Sequence, residues 1–301
     1  MTAAPAPARV PNPVAGALWM VAAALAFTIA NGMIRPAAAD MHPLQVVFFR
    51  NCFGILFMAP IIFGGGFATL RTKRLKLHLA RGVTFLLGMS TWFWAVPHVP
   101  LVDAIALFFV APLLITVLAA LVLGERVRAR RWTAVVIGFA GALLVLQPGG
   151  TELNWYYGLL VANAVVWSVG ALILREVSKT DGATTVVGHM YIWALPLSAV
   201  AAFFLWTDPT LEGLMWCAGI GLMSTIAHLS LARAFGSADA SFVIPFDYSQ
   251  LVFGALMGFA VFGEIPAWTT VAGSLLIVGA AFYIARREAQ IARQAKREAV
   301  L

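Results

Sequence analysis

Three ionisable residues, Arg50, His228 and Asp247, interrupt long apolar runs. In a lipid-facing helix each would cost a few kcal/mol or more, so such residues face a partner or a cavity. Arg50 stands about seven residues into its run, roughly 10 Å deep at 1.5 Å per residue, with Gly54 one turn further on. Its guanidinium can grip a carboxylate or phosphate through paired N–H groups. The plainer alternative is a link to helix-end carbonyls or a nearby acid, with Asn51 helping. Asp247 shares a helical face with Gln250, Gly254 and Gly258, with Tyr248 beside it and Pro245 loosening the preceding turn. A carboxylate there can hold a substrate ammonium, carry a coupling proton, or pair structurally with a neighbouring His or Tyr. His228 lies on a stripe of Gly221, Ser224, Thr225 and Ala232, which suits either a cavity wall or close helix packing.

A second set of residues would surround a solute. Asn163, Trp167 and Gly170 share one helical face, and His189, Trp193 and Pro196 share another. With Asn31, Trp92, Trp94, Phe108 and Phe109 they make an aromatic, hydrogen-bonding lining suited to a zwitterion with an apolar side chain. Each ring taken singly also fits packing or an interfacial belt. Ser224 and His228 are spaced like a hydrolytic dyad, but no glycine-flanked serine or oxyanion donor accompanies them, so catalysis is not expected. Cys52 and Cys217 lie in apolar stretches as small buried hydrophobes, and no Cys/His cluster has metal-ligand spacing. No cofactor is expected.

The elements that position these residues follow from composition. Of 301 residues, 61% are hydrophobic and 11% charged. Soluble domains carry about 45–50% apolar and about 25% charged residues, so the surplus must face lipid. Ten stretches meet the length that a bilayer demands: 13–34, 43–63, 79–97, 101–123, 132–148, 155–175, 184–206, 212–234, 240–262 and 267–285. Gly64-Gly65-Gly66, Pro148-Gly149-Gly150 and Asp208-Pro209 punctuate them. The first run is longer than a signal-peptide core, so despite Ala37-Ala38-Ala39 it reads as a retained first helix.

The net charge of +7 does not imply a nucleic-acid partner, because the basic residues are scattered over short loops. Arg9; Arg71, Lys73, Arg74, Lys76 and Arg81; Arg126, Arg128, Arg130 and Arg131; Arg175 and Lys179; and Arg233 fall on the N-terminal side and in every second connection. The tail adds Arg286, Arg287, Arg293, Lys296 and Arg297, leaving only Arg35 and Arg50 elsewhere. Short cytoplasmic loops retain Lys and Arg, which places both termini in the cytoplasm and the chain in the cytoplasmic (inner) membrane. The expected units are a cytoplasmic segment 1–12, five-helix halves 13–148 and 149–285, and a basic cytoplasmic tail 286–301. The tail continues the last helix, into the cytoplasm or along anionic lipid.

The halves look duplicated. Ala26-Phe27-Thr28 parallels Val166-Trp167-Ser168, and Ala59-Pro60-Ile61 parallels Leu195-Pro196-Leu197. Gly124-Glu125 parallels Gly263-Glu264, and Trp132-Thr133-Ala134-Val135 parallels Trp268-Thr269-Thr270-Val271. Five crossings per half is an odd number, so the second copy enters the bilayer upside down, as in many secondary transporters.

Two five-helix halves, Phe48-Phe49-Arg50 in the second span, and Gly-Glu ending the fourth and ninth resemble the EamA-type drug/metabolite transporters, over residues 13–286. The resemblance implies an all-α membrane protein, ten helices in two inverted repeats around a central cavity, and closest likeness to the amino-acid-exporting branch. The family also includes carriers of vitamins, nucleotide sugars and S-adenosylmethionine. Val186 stands where the second half would repeat Arg50, so the copies would not bind substrate symmetrically. The expected function is a carrier or facilitator exporting amino acids or related metabolites by alternating access, as a monomer or dimer among membrane lipids. The chain has no Walker motif, so a gradient of substrate or ion would drive it. An embedded enzyme lacks its constellation, and a channel would need a repeated ring of selectivity residues.

Overall fold

The computed structural model describes residues 13–111, 113–114, 117–118, 129–146, 154–177, 180–237 and 246–298, and among them every regular element is helical. The elements are α1 (Pro13–Gly32), which continues through a short turn at Ile34–Ala37, α2 (Pro43–Gly65), α3 (Leu75–Ala95), α4 (Leu101–Phe108) and α5 (Ala129–Leu146). After them come α6 (Trp155–Val177), α7 (Ala183–Phe204), α8 (Leu211–Ser237), α9 (Ser249–Phe262) and α10 (Trp268–Glu298). Each predicted span therefore contains at least one helix among the described residues. The segment 1–12, Gly124-Glu125, Pro148-Gly149-Gly150 and Pro245 lie outside the described residues.

Among the described residues, six helices are long and apolar enough to cross a bilayer: Val14–Ala37, Pro43–Gly64, Leu75–His98, Trp155–Leu174, Thr184–Phe204 and Leu211–Leu231. Val135–Leu146, Ser249–Phe262 and Trp268–Ala280 are shorter apolar helices. Their outer faces are greasy at helical spacing: Val14, Leu18 and Leu25 on α1, and Val252, Leu256 and Phe259 on α9, are all exposed. The interior instead buries Thr28, Gln45, Arg50, Asn51, Asn163 and Ser168. Apolar outside and polar within is the solvent preference of an integral membrane protein.

Local chemistry sets the helix ends. His42 Nδ1 accepts from the Leu44 N–H (3.2 Å) at the start of α2, with Pro43 at its first position. Gly66 and Gly263 close α2 and α9 at φ 73° and 66°, a left-handed backbone that favours glycine. α10 runs on without a break to Glu298, so the basic tail is helical that far.

Helix pairing repeats between the halves. α1 packs on α8 as α6 packs on α3; α2 packs on α8 as α7 packs on α3; α1 meets α9 as α6 meets α4. Exchanging each helix with its counterpart five places on converts one pairing into the other, and pairs α2–α7, α4–α9 and α5–α10 map onto themselves. The detail repeats as well. A Cβ on Gly82 of α3 would lie 2.5 Å from Trp193 Cβ, and one on Gly221 of α8 would lie 2.7 Å from Phe53 Cβ. Thr28 and Ser168, parallel in the sequence, are both buried and each donates to the carbonyl four residues back.

The fourth span departs from expectation. The sequence predicts one helix over 101–123, but α4 stops at Phe108 and turns at Phe109 and Val110. Pro112 has no N–H to return to Phe108, which interrupts the ladder there. The Ser168 hydroxyl, from α6, donates to the Ala111 carbonyl beside this break (3.0 Å). The ninth span turns likewise at Tyr248, just before α9. The register that aligns Gly124 with Gly263 also aligns Phe109 with Tyr248, and these two rings touch, centroids 4.7 Å apart. A contact between equivalent residues is what a two-fold relation between the halves would produce.

Candidate functional site

Arg50 is 1% exposed, on the face of α2 turned toward α7. Its Nη1 donates to Asn51 Oδ1 (3.2 Å) and its Nη2 to the Tyr191 hydroxyl (3.4 Å), while Nε has no partner. Asn51 in turn donates to the Ser198 hydroxyl (3.3 Å). The space that Gly54 opens holds the Tyr191 ring, because a Cβ there would lie 2.5 Å from that ring. The expected acid is missing: among the described residues Arg50 has only neutral partners.

The sequence reading overlooked Arg81, which it counted as a loop charge. α3 begins at Leu75, four residues earlier than the predicted span, and this carries Arg81 inward on the helix. It is 7% exposed, its Nε is unpartnered, and its guanidinium stands 6.0 Å from the Phe85 ring and 5.8 Å from the Trp167 ring. Arg50 stands 5.5 Å from the same Phe85 ring. Phe85 is thus flanked by two buried cations from different helices. The His228 ring donates Nδ1–H to the Ser224 carbonyl (2.7 Å), not to its hydroxyl, and lies edge-on to Phe27, which leaves no hydrolytic dyad.

From Trp167 a run of rings crosses the molecule. Phe108 touches Trp167 (5.3 Å between centroids), Trp92 (5.7 Å) and Phe109 (6.0 Å), and Phe109 touches Tyr248. Trp92 also donates to Asn31 Oδ1 (3.0 Å). At the far end Asp247 accepts from Gln250 Nε2 (2.7 Å). The arrangement is two guanidinium groups at one end, an aromatic middle built at the broken helix α4, and a carboxylate at the other end beside the matching break. These side chains offer ring faces for stacking and hydrogen-bonding groups at both ends of the run.

Other predicted residues lie elsewhere. Trp94 contacts His42 and Trp155 instead of the ring run. Asn163 ties α6 to α3 by donating to the Gly88 carbonyl (2.6 Å) and the Thr91 hydroxyl, leaving its Oδ1 unpartnered. His189 donates through Nε2 to the Leu70 carbonyl (2.9 Å) and packs on His78, whose Nε2 meets Asp181 Oδ2 at 2.6 Å. Trp193 packs on Gly82 with its Nε1–H unpartnered. Cys52 and Cys217 are free thiols. A groove of about 430 Å³ between α5 and α10, lined by Thr133, Ile137, Leu275, Leu276, Gly279, Ala280 and Tyr283, holds none of the predicted site residues.

Two more groups, Asp103 buried and Glu264 half-buried, were given no site role by the sequence reading. Asp103, in the first turn of α4, accepts from the Tyr157 hydroxyl (2.9 Å) and the Thr270 hydroxyl (2.8 Å), tying α4 to α6 and α10. A lone acid inside an apolar run was the available signal. Glu264, just past α9, pairs with Arg35 (2.6 Å) and accepts from the Leu101 N–H (2.9 Å) at the start of α4. Arg35 also donates to the Val99 carbonyl (2.5 Å) and lies over the Phe262 ring. Gly263-Glu264 is therefore a helix stop followed by a clasp.

The chain is similar to carriers along nearly its whole length. It is 31% identical to a riboflavin transporter of Vibrio cholerae, covering 94% of this chain and 97% of that one. It is 30% identical to a pseudopaline exporter of Pseudomonas aeruginosa (90% and 96% covered) and 26% identical to an S-adenosylmethionine uptake transporter of Rickettsia bellii (88% and 91%). The EamA-like transporter family matches twice, at residues 14–147 and 154–286, the two halves whose helix pairings interchange. The chain belongs to the EamA-like transporter family.

Proposed function

We propose that this protein is a secondary carrier for a planar, ring-bearing metabolite, with riboflavin the first solute to try. The observation that carries the reading is the pair of interrupted helices, α4 at Phe109 and the ninth span at Tyr248, meeting ring to ring beside Phe108, Trp167 and Asp247. Interrupted helices at matching places in two repeats are where secondary transporters bind their solute. The likeness to a riboflavin transporter supports a heteroaromatic solute over a plain amino acid. The opposed charges of Arg50 and Asp247 support a second reading, a zwitterion such as an amino acid or S-adenosylmethionine.

In this proposal the ten helices cross the inner membrane as two inverted repeats, both termini cytoplasmic, and the halves rock about the α4–α9 contact. The fitted outcome is saturable counterflow of labelled riboflavin in proteoliposomes, competed by unlabelled riboflavin and not by alanine. Counterflow of amino acids with none of riboflavin would select the zwitterion reading, and linear, non-exchanging leakage would remove the carrier. Orientation is checked by cysteines placed at Gly149 and Trp268, expected to label from outside, and at Arg128, expected to label only after permeabilisation. The reverse pattern overturns the topology.

A further inference from the structure

We infer that the solute presents an anionic group, a carboxylate or a phosphate, to Arg50 and Arg81 across the ring of Phe85. The inference rests on the carrier reading and narrows its solute to an anionic ring-bearing molecule, so that neutral riboflavin serves as a probe of exchange and not as the best-fitting cargo. Arg81 makes no side-chain hydrogen bond and no ion pair among the described residues, although it is 7% exposed. Asp181, in the connection after α6, is bound to Thr72 and His78 instead. Arg50 has two neutral oxygen partners and a spare Nε–H. Trp193 adds another buried N–H without an acceptor, and its Cβ packs against Gly82, the residue after Arg81.

Arginine cannot shed its charge to suit a dry site, and guanidinium and indole N–H groups only donate. Two buried positive charges and several spare donors therefore call for a ligand that is negative and rich in acceptors. A neutral polyol could fill the hydrogen bonds but would leave both charges uncompensated. Phe85 and Trp167, each within 6.0 Å of the Arg81 guanidinium, place that anion beside ring surfaces, so the group belongs on or near an aromatic ring.

The test uses the full chain in lipid nanodiscs and three small probes of similar shape: benzoate, phenyl phosphate and neutral benzamide. Thermal unfolding should show saturable stabilisation by at least one anion, with a Kd at least about ten-fold below that of benzamide; the better anion identifies carboxylate or phosphate. R81M removes an uncompensated charge, so its empty form should unfold at a higher temperature than the wild type and lose the anion preference, whereas R81K should keep it. Equal binding of benzamide, no response to either anion, or a preference that survives in R81M would each overturn the inference. Riboflavin counterflow run in parallel separates the two readings. Exchange without anion preference keeps the carrier and removes the anion site, while anion preference without exchange of any solute does the reverse.

Discussion

Asp247 and Asp181 show how differently two carboxylates can be held in one chain. Asp247 sits at the turn before α9 with Gln250 as its hydrogen-bond donor and no basic partner among the described residues. That leaves its charge available to a solute or a proton. D247N keeps the shape and can still bond Gln250, so we expect counterflow to fall more than about ten-fold, a loss of over 1.4 kcal/mol, with the unfolding midpoint little changed. Full activity with unaltered pH dependence would remove Asp247 from the transport cycle.

Asp181 lies in a connection outside the spans, and hydrogen bonds from the Thr72 hydroxyl (2.5 Å) and then the His78 ring hold its carboxyl below the ordinary 3.8. A carboxyl whose folded value is lowered adds stability above the unfolded value and loses it as pH falls through the folded one. The Thr72–Asp181–His78 tie should therefore be complete at neutral pH and fail only below 3.8. Unfolding midpoints from about pH 6 to about pH 3 should drop for the wild type, while D181N starts lower and stays flatter across the window. Of these residues the sequence singled out Asp247, because it breaks an apolar run. It hid Arg81 and Asp181, because a charge near a predicted span edge looks solvated until the true helix start is known.

Helices in lipid gain little from hiding apolar surface from one another, so their association depends on close fit at small residues. Gly82 against Trp193 and Gly221 against Phe53 are the two points where α3 meets α7 and α8 meets α2. An added methyl at Gly221 would also lie 3.2 Å from the Arg50 carbonyl, a backbone atom that cannot swing aside. We expect G82A and G221A each to destabilise by about 1–3 kcal/mol, the usual cost of overpacking, and to do so by similar amounts because the contacts are counterparts. G158A and G279A face open space and should be neutral or gain up to about 1 kcal/mol from better helix propensity. Unfolding midpoints of the four variants check this; a large loss in G158A would show a contact on that face. Helix existence was legible from apolar run length alone, since a barrel strand needs only about ten residues and alternates, whereas a continuous apolar run of about twenty fits a helix. The break at Phe109 was not, because an apolar run stays apolar across a turn and only Pro112 hinted at it. Which residues face each other was likewise hidden, as Trp94 against His42 and Trp155 illustrates.

Duplication was readable from four short matches, but what it does for the whole molecule needs the Arg35–Glu264 clasp. That clasp joins the turn after α1, the α3–α4 junction and the end of α9. Exchanging the halves carries Glu264 to Glu125 and Arg35 to Arg175, which the proposed topology sets at the opposite membrane surface. A carrier that alternates between two sides cannot keep both ends clasped while its central site opens, so the pair at 35 and 264 should part once per cycle. With Cys52 and Cys217 replaced, R35C/E264C treated with a short bifunctional thiol reagent should lose counterflow almost completely. The same protein before treatment, or with either cysteine alone, should retain a measurable rate. E264Q, which keeps the Leu101 hydrogen bond but weakens the ion pair, should raise labelling of a cysteine at Trp92 from the outer side, because the closed end then opens more often. Undiminished counterflow in the cross-linked protein would mean that this end never needs to move, and the rocking of two exchanged halves would have to be replaced by motion confined to the other surface.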